Sequence, residues 1–161
     1  MTVIWTQNGI VENDPWAASD TGDGSKLLAL ADALEHVRDN AAFGVMVQPA
    51  ENVGALAPLL DRVAIIALNF PAFSDGRAFS QAMLLRQRLG YTGELRAVGN
   101  VLLDQVPLML RTGFDSFEIS HEPTQRRLVE KRLPGIDLHY QPSADATQAG
   151  QSYSWRRIAS A

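Results

Sequence analysis

The stretch from Ala64 to Glu118 constrains the fold most, because three apolar strands alternate with two helical segments there almost without a gap. The predicted strands are 64–68, 95–98 and 114–119. Alternation of this kind is typical of right-handed parallel α/β units. The first strand contains no polar residue, as expected for a parallel strand that is covered on both faces. We therefore predict an α/β fold with a mostly parallel sheet of consecutive strand–helix units, either doubly wound or partial-barrel-like.

The loops after the first two strands decide where the two helices begin. Ser74 or Asp75 is predicted to cap the first helix, because both side chains accept backbone hydrogen bonds at a helix start. Pro107 inside the second helix would cost about 3 kcal/mol or produce a kink, whereas Pro107 in the first turn is tolerated. We therefore predict Asp104 as the N-cap of the second helix, which leaves 99–103 as an extended loop.

The N-terminal residues predict a β-hairpin ahead of these units. Asn8-Gly9 lies between two apolar segments, and both residues tolerate the positive φ of a two-residue hairpin turn. Further along, Ser25 is predicted to cap an amphipathic helix that runs to Arg38. The remaining predicted elements are a strand at 43–47, short helices at 53–60 and 124–132, and a last strand at 136–140.

The chain is predicted to form one α/β domain, residues 1–141, followed by a flexible linker and docking tail, residues 142–161. Its 161 residues, of which 46% are hydrophobic, are enough for one substantial core and too few for two. Residues 142–152 are polar and contain few bulky apolar side chains. The tail that follows contains Trp155, which can dock on the domain itself or on a partner, including a second copy of the chain.

Composition argues against several classes of function. With a net charge of −4, the chain lacks the basic surface that nucleic acids and anionic membranes select. No apolar run reaches the length of a membrane span, and the first residues lack the layout of a secretory signal, so we expect a cytoplasmic protein. Cysteine is absent, which excludes disulfides, thiolate metal sites and cysteine-ligated iron–sulfur clusters.

Motifs for metals and nucleotide cofactors are also missing from the sequence. His36, His121 and His139 lie far apart, and none belongs to a ligand spacing such as His-x-x-x-His. No Gly-x-Gly-x-x-Gly follows a predicted strand, and no phosphate-binding glycine loop precedes a Lys-Ser or Lys-Thr pair. We therefore predict that the protein holds neither a metal nor a cofactor.

Polar residues cluster in the loops that follow the predicted strands. In an open parallel sheet, ligands bind outside the carboxyl ends of the strands, where helix N-termini present free N–H groups to anions. Taken singly, these residues are better explained as helix caps and turn residues. Together they predict a site for a small oxyanion, made of Asn69, Phe73, Ser74, Gly76, Arg77, Arg96, Gly99 and Asn100. Candidates for proton transfer in the same cleft are Asp75, Asp104 and His121.

Arg96 has two interpretations, because it lies on a strand between apolar residues. A guanidinium in that position must reach a carboxylate, backbone carbonyls or solvent. Glu94, Asp104 or Glu118 can supply a carboxylate for a structural ion pair. Otherwise Arg96 supports an anion bound beside Arg77.

The residues around these loops resemble those of a bacterial family, the domain of unknown function 934 (DUF934). The resemblance is carried by the run Asn69–Arg77 and by segments 84–86, 93–99, 104–105 and 113–117. Members of the family are often labelled as probable oxidoreductases, because they accompany the haemoprotein subunit of sulfite reductase. The resemblance thus implies a place in assimilatory sulfite reduction, and it assigns no catalytic residue.

Two hypotheses follow from the residues and the resemblance together. The first is a non-redox accessory protein of sulfite reduction, which binds the reductase haemoprotein or a small oxyanion. The second is an enzyme, an oxidoreductase or an acid–base catalyst, that acts on a small anionic substrate around Asp75, Arg77, Asp104 and His121. The lack of cofactor motifs favours the first.

Overall fold

A seven-stranded mixed sheet dominates the described part of the chain, which in the computed structural model comprises residues 2–16, 27–35, 42–130 and 133–134. The strands are β1 Val3–Thr6, β2 Gly9–Val11, β3 Leu27–Ala29, β4 Phe43–Val47, β5 Val63–Phe70, β6 Glu94–Gly99 and β7 Ser116–Ile119. Their spatial order is β2-β1-β7-β6-β5-β4-β3. Strands β3 to β7 are parallel, whereas β1 is antiparallel to both β7 and β2. The predicted α/β fold with an N-terminal hairpin is confirmed.

Helical segments connect the parallel strands. They are α1 Leu30–Glu35, a 3-10 helix Val53–Leu59, α2 Arg77–Met83, α3 Val106–Thr112 and α4 Glu122–Val129. Helix α2 continues without a break into a π-helical turn, Leu84–Arg88, and the chain then turns at Gly90 with a φ of +67°. Pro107 lies in the first turn of α3, as predicted from its missing N–H. None of the described helices has the length and apolar character needed to cross a membrane.

The order of the parallel strands shows no reversal, which decides how the helices are arranged. Right-handed crossovers that always advance in one direction place all connecting helices on the same face of a sheet. The core agrees, because residues from every described helical segment pack in one cluster with alternate strand residues such as Ile66, Leu68 and Phe70. Of the two arrangements left open by the sequence, this order matches the partial-barrel-like one, since a doubly wound sheet requires a reversal.

The second face of the sheet is buried as well, although it carries none of these helices. Ile65, Ala67 and Val98 are buried there outside the main core cluster. Trp16 follows the hairpin and approaches this face at Gly44, where an added Cβ would meet the Trp16 ring at 3.0 Å and the Ile65 side chain at 2.7 Å. The residues after β2 therefore cover part of the second face.

The predicted helix from Ser25 to Arg38 is wrong at its start. Leu27–Ala29 form β3, which pairs in parallel with Gly44, Val45 and Met46 of β4, and the helix begins only at Leu30. Backbone pairing with β4 outweighs the helical spacing of the leucines, because short segments take much of their structure from tertiary contacts.

The caps predicted for α2 and α3 are also wrong by one or two residues. Helix α2 is preceded by Gly76 rather than Ser74 or Asp75, and α3 by Gln105 rather than Asp104. Neither capping residue makes a side-chain cap hydrogen bond.

Several predictions fall outside the described residues. These are the Ser25 cap, the end of the helix at Arg38, the strand at 136–140, the domain boundary after 141 and the tail at 142–161.

Candidate functional site

The carboxyl ends of β5 and β6 meet at one edge of the sheet, and we call this edge the carboxyl edge. The last residues of the two strands, Phe70 and Gly99, are register partners. Gly99 has a φ of +90°, and a Cβ there would lie 2.6 Å from both the Phe70 carbonyl oxygen and the Asn69 Oδ1 atom. Asn100 donates its backbone N–H to the same Phe70 carbonyl at 2.7 Å. Two of the loops predicted to form the site are therefore in direct contact.

Amide side chains join the loop after β4 to this edge. Asn69 donates through Nδ2 to Gln48 Oε1 at 2.7 Å. Gln81 of α2 donates through Nε2 to the backbone carbonyls of Gln48 at 2.9 Å and Glu51 at 3.0 Å. The Gln81 Oε1 atom is buried and has no hydrogen-bond partner among the described residues. These contacts fix the loop after β4 against α2.

Phe73 lies at the outer end of the loop after β5, with 54% of its surface exposed. Its backbone carbonyl accepts a hydrogen bond from Gln105 Nε2 at 3.2 Å. The loop is therefore tied to the start of α3, while the aromatic ring projects from the domain. Among the large apolar side chains that are exposed in the described part of the chain, Phe73 is the one aromatic residue.

Asp75 and Arg77 form a bidentate ion pair in the same loop. Arg77 donates through Nε to Asp75 Oδ1 at 3.0 Å and through NH2 to Asp75 Oδ2 at 2.7 Å. The Arg77 backbone N–H also donates to Asp75 Oδ1, at 3.2 Å. These hydrogen bonds to Arg77 lower the pKa of the Asp75 carboxyl and raise the pKa of the Arg77 guanidinium. The Asp75 carboxylate thus occupies the position where an external oxyanion would meet the start of α2.

The other predicted residues lie around this pair without joining it. Ser74, Gly76 and Asp104 are exposed on the loops. His121 precedes α4 after β7, and its Nδ1 atom lies 2.9 Å from the Thr124 Oγ1 atom. In the described residues, no hydrogen bond or ion pair links Asp104 or His121 to the Asp75–Arg77 pair.

Arg96 belongs to a different site, on the second face of the sheet. It is only 2% exposed, and it donates to both carboxylate oxygens of Asp14, at 2.5 Å through NH1 and 2.8 Å through NH2. NH2 also donates to Glu94 Oε1 at 2.8 Å, and Nε donates to Ser116 Oγ at 3.1 Å. Burial alone would lower the pKa of Arg96, but the hydrogen bonds to Asp14 and Glu94 outweigh it and raise that pKa. The predicted structural ion pair with Glu94 is confirmed.

A cleft of about 640 Å³ lies beside this network, at the amino ends of β6 and β7. The hairpin turn reaches it because β1 is antiparallel to β7, so that the end of β1 meets the start of β7. The ionisable side chains among its described lining residues are Asp14, Glu94, Asp115 and Arg96. Because carboxylates outnumber guanidinium groups, this lining favours hydrogen-bond donors and disfavours an oxyanion.

Arg86 joins the loops that precede β6 and β7, at the amino ends of these strands. Its NH1 donates to the backbone carbonyls of Tyr91 at 2.6 Å and Gly93 at 2.9 Å. Its Nε donates to the Gly113 carbonyl at 2.9 Å and its NH2 to Asp115 Oδ2 at 2.5 Å. Arg86 lies in the π-helical turn, and its contacts are those of a structural clamp.

Sequence reasoning named Arg96 and Glu94 but missed Asp14, Ser116 and Arg86 as partners in these networks. The signal for a partner was the arginine on an apolar strand, which requires compensation. Asp14 lies 82 residues away in the sequence, and no local pattern connects it to Arg96.

The fold and its two polar regions define a small α/β protein with a parallel sheet wound in one direction and an N-terminal hairpin. The chain belongs to the family described as bacterial protein of unknown function (DUF934), whose model matches residues 44–150. No curated protein and no solved structure matches the chain. The predicted family is confirmed.

Proposed function

We propose that the protein is a cytoplasmic, non-redox accessory protein of assimilatory sulfite reduction that binds the sulfite reductase haemoprotein through its carboxyl edge. The observation that carries this proposal is the exposed Phe73 on a loop that Gln105 fixes in place. The choice of pathway and partner rests on the family resemblance of the loop residues. The choice of surface rests on the geometry.

The carboxyl edge exposes residue types that are typical of protein-binding surfaces. Protein interfaces are enriched in aromatic residues and arginine, and a few such side chains carry most of the binding energy. Phe73 lies in the loop after β5, Arg77 follows four residues later as the first residue of α2, and both are exposed. Because Gln105 and Asp75 already order this loop, binding requires little further loss of conformational entropy.

A small oxyanion is proposed as a second ligand of the same edge, beside Arg77. The free N–H groups at the start of a helix and a guanidinium fork both favour such an anion. Asp75 competes for the same donors, because its carboxylate accepts from the backbone N–H and the side chain of Arg77. We therefore expect weak oxyanion binding by the wild-type protein and tighter binding once Asp75 is removed.

The alternative, an enzyme acting on a small anion, has less support from the described contacts. The carboxylate with a lowered pKa, Asp75, is a weaker proton acceptor than an ordinary aspartate. His121 contacts Thr124, and Asp104 is exposed without a described contact to the pair. The accessory function is therefore preferred.

Co-purification with the haemoprotein tests the proposed partner. Tagged wild-type protein is expected to retain the haemoprotein, whose Soret absorbance reports the amount bound. Phe73→Ser should reduce the retained amount at least tenfold, as expected for a central aromatic contact. Met83→Ser is the matched control, because Met83 is exposed by 38% on α2, away from the loop. Equal retention by wild type and Phe73→Ser would refute the proposed surface, and no retention by wild type would refute the partner.

Thermal unfolding in the presence of sulfite or sulfate tests the oxyanion component separately. Either anion should raise the melting temperature of Asp75→Ala more than that of the wild type, because the internal carboxylate is gone. Arg77→Ala should show no anion-dependent increase. An equal increase in wild type, Asp75→Ala and Arg77→Ala would show that the anions act elsewhere on the protein.

A further inference from the structure

Helix α4 is the last described helix, and it contacts both β7 and the hairpin strand β2. Trp5 of β1 and Ile10 of β2 are register partners, so their side chains lie on the same face of the sheet. Trp5 is buried against Phe117, with ring centroids 5.6 Å apart, and belongs to the main core. Ile10, one strand further out, is 46% exposed. Helix α4 therefore leaves part of the apolar face of β2 uncovered by the described residues.

An apolar groove lies where this cover ends. It has a volume of about 210 Å³ and is lined by Trp5, Gln7, Gly9, Ile10, Leu128 and Val129. Val129, at the end of α4, is 58% exposed. The volume is below the roughly 300–1,000 Å³ of small-molecule sites and suits one or two apolar side chains instead.

The outer edge of β2, beside the groove, has no paired strand in the described residues. Strand β2 is the last strand of the sheet in the described residues, where it pairs only with β1. An edge strand presents N–H and C=O groups that can pair with another extended segment. The groove and the β2 edge together can accept a strand with apolar side chains on one face.

The direction of β2 relative to β7 indicates which segment of the chain can pair with β2. Strand β2 is antiparallel to β1, which is antiparallel to β7, so β2 runs parallel to β7. Helix α4 returns the chain from the end of β7 to the level of its start, as in each preceding right-handed unit. A strand that followed α4 in the same right-handed sense would therefore run parallel to β7 and also to β2.

The sequence after α4 contains a segment with the required pattern. Ile136, Leu138 and Tyr140 alternate with Asp137 and His139, as expected for a strand with one buried face. A position beyond β2 lies three strand spacings from β7, about 14 Å. The seven residue-to-residue steps from Val129 to Ile136 span up to about 24 Å when extended, which is sufficient.

We propose that the groove and the free edge of β2 are the docking site of the chain's own segment Ile136–Tyr140. The segment adds to β2 as a parallel strand, and its three apolar side chains cover Ile10 and Val129. Intramolecular docking is favoured over a second copy of the chain because the short connection to α4 keeps the local concentration in the millimolar range.

Cysteine cross-linking tests this arrangement cleanly, because the natural chain contains no cysteine. Ile10→Cys is combined in turn with a cysteine at position 136, 138 or 140, and in matched controls with one at position 137 or 139. Neighbouring strands bring Cα atoms within the 4.4–6.8 Å that a disulfide needs, but only for side chains on the same face. We expect at least tenfold faster intramolecular oxidation for one of the first three pairs than for either control.

Three results would overturn the proposal. They are equal oxidation rates for both groups of pairs, cross-linked dimers without intramolecular product, and no cross-link in variants whose circular dichroism matches the wild type.

Hydrogen exchange of the wild-type chain provides a second measurement that needs no cysteine. The β2 amides that do not bond to β1 should exchange at least tenfold faster in Leu138→Asp than in wild type, while the β5 amides remain unchanged. Equal exchange of the β2 amides in both proteins would also contradict the docking.

Discussion

Replacing Asp14 by asparagine tests whether the buried ion pair with Arg96 fastens the residues after the hairpin to the sheet. The two side chains are nearly inaccessible, at 6% for Asp14 and 3% for Arg96, and two hydrogen bonds join them. Removing one partner of a buried pair typically costs about 3–5 kcal/mol, because the other charge is left uncompensated. Glu94 and Ser116 still contact Arg96 in the variant. We therefore expect a loss of about 3 kcal/mol, at the lower end of this range.

Urea denaturation followed by tryptophan fluorescence measures this loss. For a small domain with an m-value of about 2 kcal/mol/M, a loss of 3 kcal/mol lowers the unfolding midpoint by about 1.5 M. Arg77→Ala is the control, because it removes an ion pair at the surface, and it should lower the midpoint by no more than about 0.5 M. The double variant Asp14→Ala with Arg96→Met should be more stable than Asp14→Ala alone, since no unpaired guanidinium remains buried.

Two outcomes would refute this reasoning. If Asp14→Asn unfolds at the wild-type urea concentration with an unchanged m-value, Arg96 does not depend on Asp14. If the double variant is less stable than Asp14→Ala alone, the cost comes from lost packing and not from the unpaired charge.

Three further predictions concern other contacts in the described residues. Arg86→Met should destabilise the fold by about 3 kcal/mol in urea, because it leaves three backbone carbonyls without their donor, and an unchanged midpoint would contradict the clamp. Gly44→Ala should cost about 1–3 kcal/mol through overpacking, since its Cβ would meet the Leu27 side chain at 2.5 Å, whereas Gly76→Ala, with 3.7 Å to its nearest neighbour, should be nearly neutral. Wild type should unfold at a higher urea concentration than Asp75→Asn, and this difference should be complete above the ordinary aspartate pKa of about 3.9. The difference should disappear as pH falls through the lowered pKa of Asp75. A difference in midpoint that persists at lower pH would contradict the assignment.

The sequence predicted those parts of the fold that local chemistry determines. Asn8-Gly9 indicated the hairpin, although its two turn residues are Gln7 and Asn8, and Gly9 of β2 already pairs with Thr6. Pro107 located the start of α3 to within two residues. The apolar run 64–68 identified an interior strand of the sheet, although β5 extends to Val63 and Phe70. In each case the signal lies within a few residues of the element that it determines.

The strand at Leu27–Ala29 was wrongly predicted as helix, because the contacts that determine it are distant in the sequence. These residues are spaced like one face of a helix, and only pairing with β4 makes them a strand. Hydrogen bonds to a segment that begins 14 residues later cannot be seen in a window of local periodicity.

The carboxyl edge was partly predictable for a topological reason. Neighbouring parallel strands end at the same edge, so Asn69, Phe73, Gly99 and Asn100 were expected near one another, and contacts now join their loops. The Asp75–Arg77 pair was not foreseen, although two residues of separation allow it. Whether these residues bind an anion stays a prediction.

The Asp14–Arg96 pair also bears on which part of the chain folds as a unit. The family model begins at Gly44 and includes Arg96, but Asp14, Trp16 and the hairpin precede it. Without those residues, the second face of the sheet would lose the Trp16 contact at Gly44, and a guanidinium that is 2% exposed would lose its closest carboxylate. The described connecting helices pack on the other face of the sheet and cannot replace them. We therefore expect the region matched by the family model to lose stability when the N-terminal residues are removed.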